Sequence, residues 1–146
     1  MVISLIMVAV TTVFGPMLNA FRRNNRLAEA NPMMDNIAML MLDDLTGANS
    51  ISNDGDADTG DVLTITHTAY TVHYRLYNGE IQRNIPESDL PGFRPLFDVG
   101  FYRGNDINFE WETDGEYFTL TLTLTSSFDN WTRTREYTVR VVGLVP

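Results

Sequence analysis

The chain has 146 residues, enough for one domain, with ten basic residues (all arginine), nineteen acidic residues and no cysteine. Three arginines, Arg22, Arg23 and Arg26, precede every acid, so residues 27–146 carry seven arginines against nineteen acids, a net charge of −12. A body that acidic repels phosphate backbones and argues against nucleic-acid partners. The missing cysteine excludes disulfides, thiol nucleophiles and thiolate metal sites.

The first 21 residues, MVISLIMVAVTTVFGPMLNAF, contain no charge. As a helix they span about 31 Å at 1.5 Å per residue, close to the hydrocarbon thickness of a bilayer. Met1, Val2, Ile3, Leu5, Ile6, Val8, Val10, Val13 and Phe14 are the expected apolar surface of this segment. Gly15 and Pro16 are expected to kink or loosen it. A cleaved signal peptide would need its basic residues before the apolar run, and here they follow it. A soluble buried helix would be unusually long. An ordinary single-span anchor is the main alternative. The positive-inside rule, applied to Arg22, Arg23 and Arg26 alone, would then place the acidic domain in the cytoplasm.

Asn31-Pro32 predicts a break or kink and the boundary between a membrane and stalk segment, residues 1–31, and a folded domain, residues 32–146. Beyond it Met34, Ile37, Ala38, Met41, Leu42 and Leu45 recur at helical period, a stripe expected to dock on a sheet. Met33, Met34, Met39 and Met41 are expected as adaptable core filler. Thr46-Gly47 marks a stop.

Residues 47–61 form an expected polar loop, and strands follow. Val62–Thr66 is β-branched; Thr71–Tyr77 alternates, with Val72, Tyr74 and Leu76 on one face. Asn78-Gly79 predicts a hairpin into Glu80–Ile85. Residues 86–95 carry three prolines and predict an irregular connection. Ile107, Phe109 and Trp111 alternate toward a turn at Asp114-Gly115. Phe118, Leu120, Leu122 and Leu124 then share one face of Tyr117–Thr125, and Arg133–Val142 closes the chain. Hairpin connections predict one antiparallel sheet with one face covered by the helix. The fold class is α+β: a long N-terminal hydrophobic and amphipathic helix packed on an antiparallel β-sheet.

These residues resemble the type IV pilin-like superfamily, in particular minor pilins of the W class and J-type minor pseudopilins of type II secretion. The apolar run MVISLIMVAVTTVFGP reaches a proline at its sixteenth residue, as those proteins do after their processing site. The extension to Asp43-Asp44-Leu45, the strand–turn–strand TVHYRLYNGEIQR and the closing REYTVRVVGL carry the rest. The resemblance implies a structural, non-catalytic subunit of a pilus-like or secretion filament. It implies a helix held in the inner membrane before assembly, an extracytoplasmic C-terminal domain, and other pilin or pseudopilin subunits as partners. The family's processing site, a glycine followed by an aromatic or methionine, threonine, leucine, any residue and a glutamate, is not found before Met1. A start placed too far downstream, a fragment and an unprocessed chain are the alternatives. The first is favoured, because a basic leader would return positive charge to the cytoplasmic side. The alternative function is a single-pass membrane-anchored β-domain that binds a ligand or partner without polymerising.

Few residues suggest chemistry. Asp54, Asp56, Asp58 and Asp61 alternate as hard oxygen ligands for calcium would. Glycine and glutamate of the helix–loop–helix calcium motif are replaced by Thr59 and Ile65, and a solvated acidic loop is the simpler expectation. His67 and His73 lack a recognisable third metal ligand. Glu110 and Glu112 share a strand face, as any solvated strand pair does. Asn130-Trp131-Thr132 fits a glycosylation sequon. No phosphate loop, nucleophile elbow or HExxH motif occurs, so neither catalysis nor a cofactor is expected.

Overall fold

The computed structural model describes residues 2–55, 61–102, 104–128 and 131–141, with the backbone alone described for residues 2–13 and 99. The chain divides into two compact units, Met1–Pro32 and Met33–Pro146. Helix α1 runs from Val2 to Asp43 and contains both Pro16 and Pro32. Of the break or kink expected at Asn31-Pro32, the break does not occur: the helix continues through it, and the division between the two compact units falls at Pro32. An internal proline removes one backbone hydrogen bond and costs about 3 kcal/mol. The turns after it bury Met33, Met34, Ile37, Ala38 and Met41, and full burial of one large apolar side chain contributes about 1.5–3 kcal/mol. Packing therefore outweighs the local defect. The stop is tight: Leu45 N donates to Leu42 O and Thr46 N to Asp43 O, and Gly47 follows at φ +76°. Only a residue without Cβ enters that left-handed region cheaply.

The β-domain contains two sheets where one was expected. The first is a five-stranded antiparallel meander, β1 (Ser50–Asn53), β2 (Val62–Thr66), β3 (Thr71–Tyr77), β4 (Glu80–Asn84) and β5 (Arg94–Pro95), in sequence order. Asn78 (φ +52°) and Gly79 (φ +74°) make the two-residue turn between β3 and β4, and Tyr77 pairs with Glu80. Positive φ at both central residues twists in the sense of the strands, which is why this dipeptide favours hairpins. Strands β1 and β5 lie within segments expected to be loop or irregular. Each is short and sits at an edge, where a strand with Pro95 is tolerated.

A short helix, α2 (Val99–Tyr102), leads into the second sheet, β6 (Asn105–Thr113), β7 (Tyr117–Ser126) and β8 (Thr132–Arg140), ordered β6-β7-β8 and antiparallel. The backbone hydrogen bond from Ile107 N to Gly79 O, 3.0 Å, links it to the β3–β4 turn. Strand β8 ends at Arg140, short of the expected Val142, which lies outside the described residues.

Phe118, Leu120, Leu122 and Leu124 of β7 are fully buried, as are Val72, Tyr74 and Ile81 of the first sheet and Ile107 of β6. In β2 the consecutive residues Val62, Leu63, Thr64 and Ile65 are all buried, so this strand is covered on both faces rather than one. Buried Thr64 is satisfied at its hydroxyl by His73 Nδ1, 2.9 Å away. Leu76, expected inward with Tyr74, is exposed at the strand end, and Met39, expected as core filler, lies off the apolar stripe and is exposed.

Candidate functional site

Two features stand out: the surface of α1 after residue 13, and the attachment of its last turns to the sheets. Phe14, Met17, Leu18 and Phe21 recur at i, i+3, i+4 and i+7, one stripe of a 3.6-residue helix. They are 55, 65, 52 and 63 % exposed. Pro16 between them is exposed as well, and a Cβ added at Gly15 would meet nothing within 4 Å. Arg22 and Arg23 follow the stripe immediately and are exposed. An apolar helix face without a partner is unstable in water, because helices of this kind draw most of their stability from packing. Completing the burial of four such half-exposed side chains is worth roughly 3–6 kcal/mol in total. Met1 lies outside the described residues, as do the side chains of Val2, Ile3, Leu5, Ile6, Val8, Val10 and Val13. Among the described residues no helix is long and apolar enough to cross a membrane.

The last turns of α1 carry the docking stripe. Met34, Ile37, Ala38, Met41 and Leu45 are buried, and Leu42 is half-buried. Two carboxylates flank them. Asp35 accepts hydrogen bonds from Arg135 Nη1 (2.7 Å) and from the Tyr137 hydroxyl (2.8 Å), both on β8. Asp44, just beyond the helix, accepts from Arg83 Nε (2.8 Å) and Arg83 Nη2 (2.7 Å) as a bidentate pair, and from the Tyr74 hydroxyl. Tyr74 and Arg83 are cross-strand neighbours in the β3–β4 pair. Each clamp is thus one helix-side carboxylate held by an arginine and a tyrosine from a sheet. Acids at a helix C-terminus oppose the helix dipole; the Arg83 guanidinium offsets that at Asp44.

Burial, then the neighbouring Asp44, holds the Tyr74 hydroxyl well above the ordinary tyrosine range. Burial, then the hydrogen bond to Asp35, pushes Tyr137 up to about 12. The hydrogen bond that Arg83 donates to Asp44 is the main cause of a raised Arg83. Both tyrosines are therefore neutral donors at physiological pH; Asp44 accepts through both carboxylate oxygens and Asp35 through Oδ1, an arrangement suited to fixing geometry. Sequence reasoning did not single out these clamps. Asp44 stood out only as an acidic helix ending, and Asp35 not at all. The Asn78-Gly79 turn does fix Tyr74 opposite Arg83, which is the part of the signal that a sequence can carry.

The other candidate residues are dispersed. Asp54 accepts from Ser52 Oγ (3.1 Å) and Asp61 from Asn53 Nδ2 (2.9 Å); Asp56 and Asp58 lie outside the described residues. Among the described residues no three or more His, Cys, Asp or Glu side chains gather as a metal site. His67 stacks on Tyr70 with ring centres 4.3 Å apart, and its Nδ1 is 3.3 Å from Gly47 O, whereas His73 contacts Thr64. Glu110 and Glu112 are exposed on β6, opposite Thr121 and Thr119. Of the sequon, Asn130 lies outside the described residues and Trp131 is buried. No protein-family model, curated protein or solved structure matches the chain.

Proposed function

We propose that the chain is a structural subunit, a minor pilin or pseudopilin, of a type IV pilus-like or type II secretion filament. Its N-terminal helix sits in the inner membrane before assembly, with the C-terminal domain on the extracytoplasmic side. The observation that carries this reading is the exposed apolar stripe Phe14, Met17, Leu18 and Phe21 on a helix that continues without a linker into buried turns. Lipid or neighbouring helices of like subunits would cover such a stripe. Exchange of one cover for the other is the physical basis of assembly from a membrane store. The acidic domain then forms the outer, solvated surface.

The absence of native cysteine allows a direct test. Single variants Met17→Cys and Phe21→Cys are expressed in full-length chains, oxidised in intact cells, and the sheared surface or periplasmic filament fraction is separated from membranes. The expected result is disulfide-linked subunits in the filament fraction. Chains that remain monomeric in the membrane fraction would instead support a single-pass anchored domain that does not polymerise.

A further inference from the structure

The geometry points to the free edge of β6 as a docking site where an extended, basic peptide segment of another protein adds as an antiparallel or parallel strand. A cleft of about 540 Å³ runs along this edge, lined on one side by Asn108, Phe109, Glu110 and Trp111 and on the other by Leu76, Asn53 and Asp61. The backbone explains why the cleft is receptive. In an antiparallel pair, alternate residues turn their N–H and C=O groups toward the same neighbour. Ile107 N donates away from β7, to Gly79 O, so Phe109 and Trp111 turn their backbone groups toward that same side. In the order β6-β7-β8, β6 is an edge strand, and among the described strands only β7 pairs with it. The stretch Asn108–Trp111 that lines the cleft is about 13 Å long at 3.3 Å per residue.

An edge strand presents a row of backbone N–H and C=O groups, a template for strand addition. The cleft adds two selective elements. Leu76, exposed at the end of β3, and Trp111, stacked on buried Phe118 with ring centres 6.0 Å apart, offer apolar contact to alternate side chains of an incoming strand. Asp61 and Glu110 are exposed carboxylates on opposite walls, and Asn53 holds Asp61 in place at 2.9 Å. Charge chooses the occupant: Asp61 and Glu110 line the cleft in a body that carries −12 over residues 27–146, which disfavours a second copy, whereas a strand with arginine or lysine at its ends neutralises them. The site belongs to the β-domain alone and stands whether or not the helix polymerises.

The test uses the full-length, isotopically labelled chain in detergent micelles and the peptide acetyl-Arg-Val-Thr-Val-Arg-amide, followed by amide NMR. The expected result is saturable shifts centred on Phe109 and Trp111, with slowed hydrogen exchange at those two amides. Two N-methylated peptides separate strand addition from plain charge attraction. One is methylated at both valines, the other at threonine. A paired strand uses only one set of N–H groups, so one methylated peptide should bind roughly ten-fold more weakly and the other should retain its affinity. Glu110→Lys, a change at an exposed side chain, should also weaken binding. The proposal is overturned by equal affinity of the two methylated peptides, by shifts that avoid Phe109 and Trp111, or by dimerisation of the chain through this edge in place of peptide binding.

Discussion

Replacement of Asp44 by alanine tests whether the clamp at the helix end governs the stability of the β-domain. The carboxylate accepts two hydrogen bonds from Arg83, at 2.7 and 2.8 Å, and one from Tyr74. The Asp44 side chain is 12 % exposed and that of Arg83 33 %. Tyr74 is fully buried, so its hydroxyl would be left without an acceptor, at a cost of about 1–3 kcal/mol. Breaking a buried ion pair costs about 3–5 kcal/mol, but Arg83 can turn to solvent, and that contribution is reduced accordingly. The sum is roughly 2–4 kcal/mol, equivalent to a fall in Tm of roughly 10 °C for a body of this size. Thermal unfolding followed by circular dichroism reads it. Asp44→Asn keeps an acceptor for Tyr74 and should fall between alanine and the parent. Tyr74→Phe should cost about 1 kcal/mol alone and less in the Asp44→Ala background, since the two side chains share one interaction. A drop of under about 2 °C for Asp44→Ala, or strict additivity with Tyr74→Phe, would refute the reasoning.

Alkaline pH should unfold the domain from the tyrosine side. Tyr74 is raised above the ordinary range and Tyr137 is raised to about 12, against about 10 in an unfolded chain. A raised folded value means that the neutral form is favoured in the native state. Its stabilisation is complete below about pH 10 and is lost as the pH rises through the folded values. Stability measured by urea titration should therefore be flat up to about pH 10 and fall above it, and the fall should shrink in Tyr74→Phe. Gly79→Ala tests the turn. Its φ of +74° is strained for alanine, and the new Cβ would lie 2.6 Å from Asp106 Oδ1. That oxygen ends a movable side chain, so backbone strain dominates and the expected loss is about 1–2 kcal/mol, read as a Tm shift.

Local signals made much of the architecture legible. Asn78-Gly79 fixes the β3–β4 register, and the Phe118–Leu124 alternation identifies the most buried strand. The stripe from Met34 to Leu45 is the buried face of α1, Leu42 excepted. What could not be read depends on distant partners. Ser50–Asn53 has little strand character of its own and is a strand because Thr66 to Leu63 pair with it. Pro32 reads as a break until the burial of the following turns is weighed. The division into two sheets follows from the pairing of β6 with β7 alone, which no alternation pattern encodes. The clamps join residues 39 and 100 positions apart, beyond the reach of any periodicity.

Together the clamps assign α1 a role in joining the two sheets. Asp44 binds β3 and β4 of the first sheet, and Asp35 binds β8 of the second. The sheets also meet directly, through the backbone bond from Ile107 to Gly79 and the approach of β4 to β6. If the helix is the common support, the two sheets unfold together only while both carboxylates hold. Both tryptophans lie on or beside the second sheet, Trp111 in β6 and Trp131 just before β8. Tryptophan fluorescence thus reports that sheet, whereas far-ultraviolet circular dichroism reports the whole chain. In the parent the two transitions should coincide, as two-state unfolding requires. In Asp35→Ala/Asp44→Ala they should separate, with different midpoints in urea. Coincident midpoints in the double variant would mean that apolar packing alone couples the sheets, and the clamps would then contribute stability without joining anything.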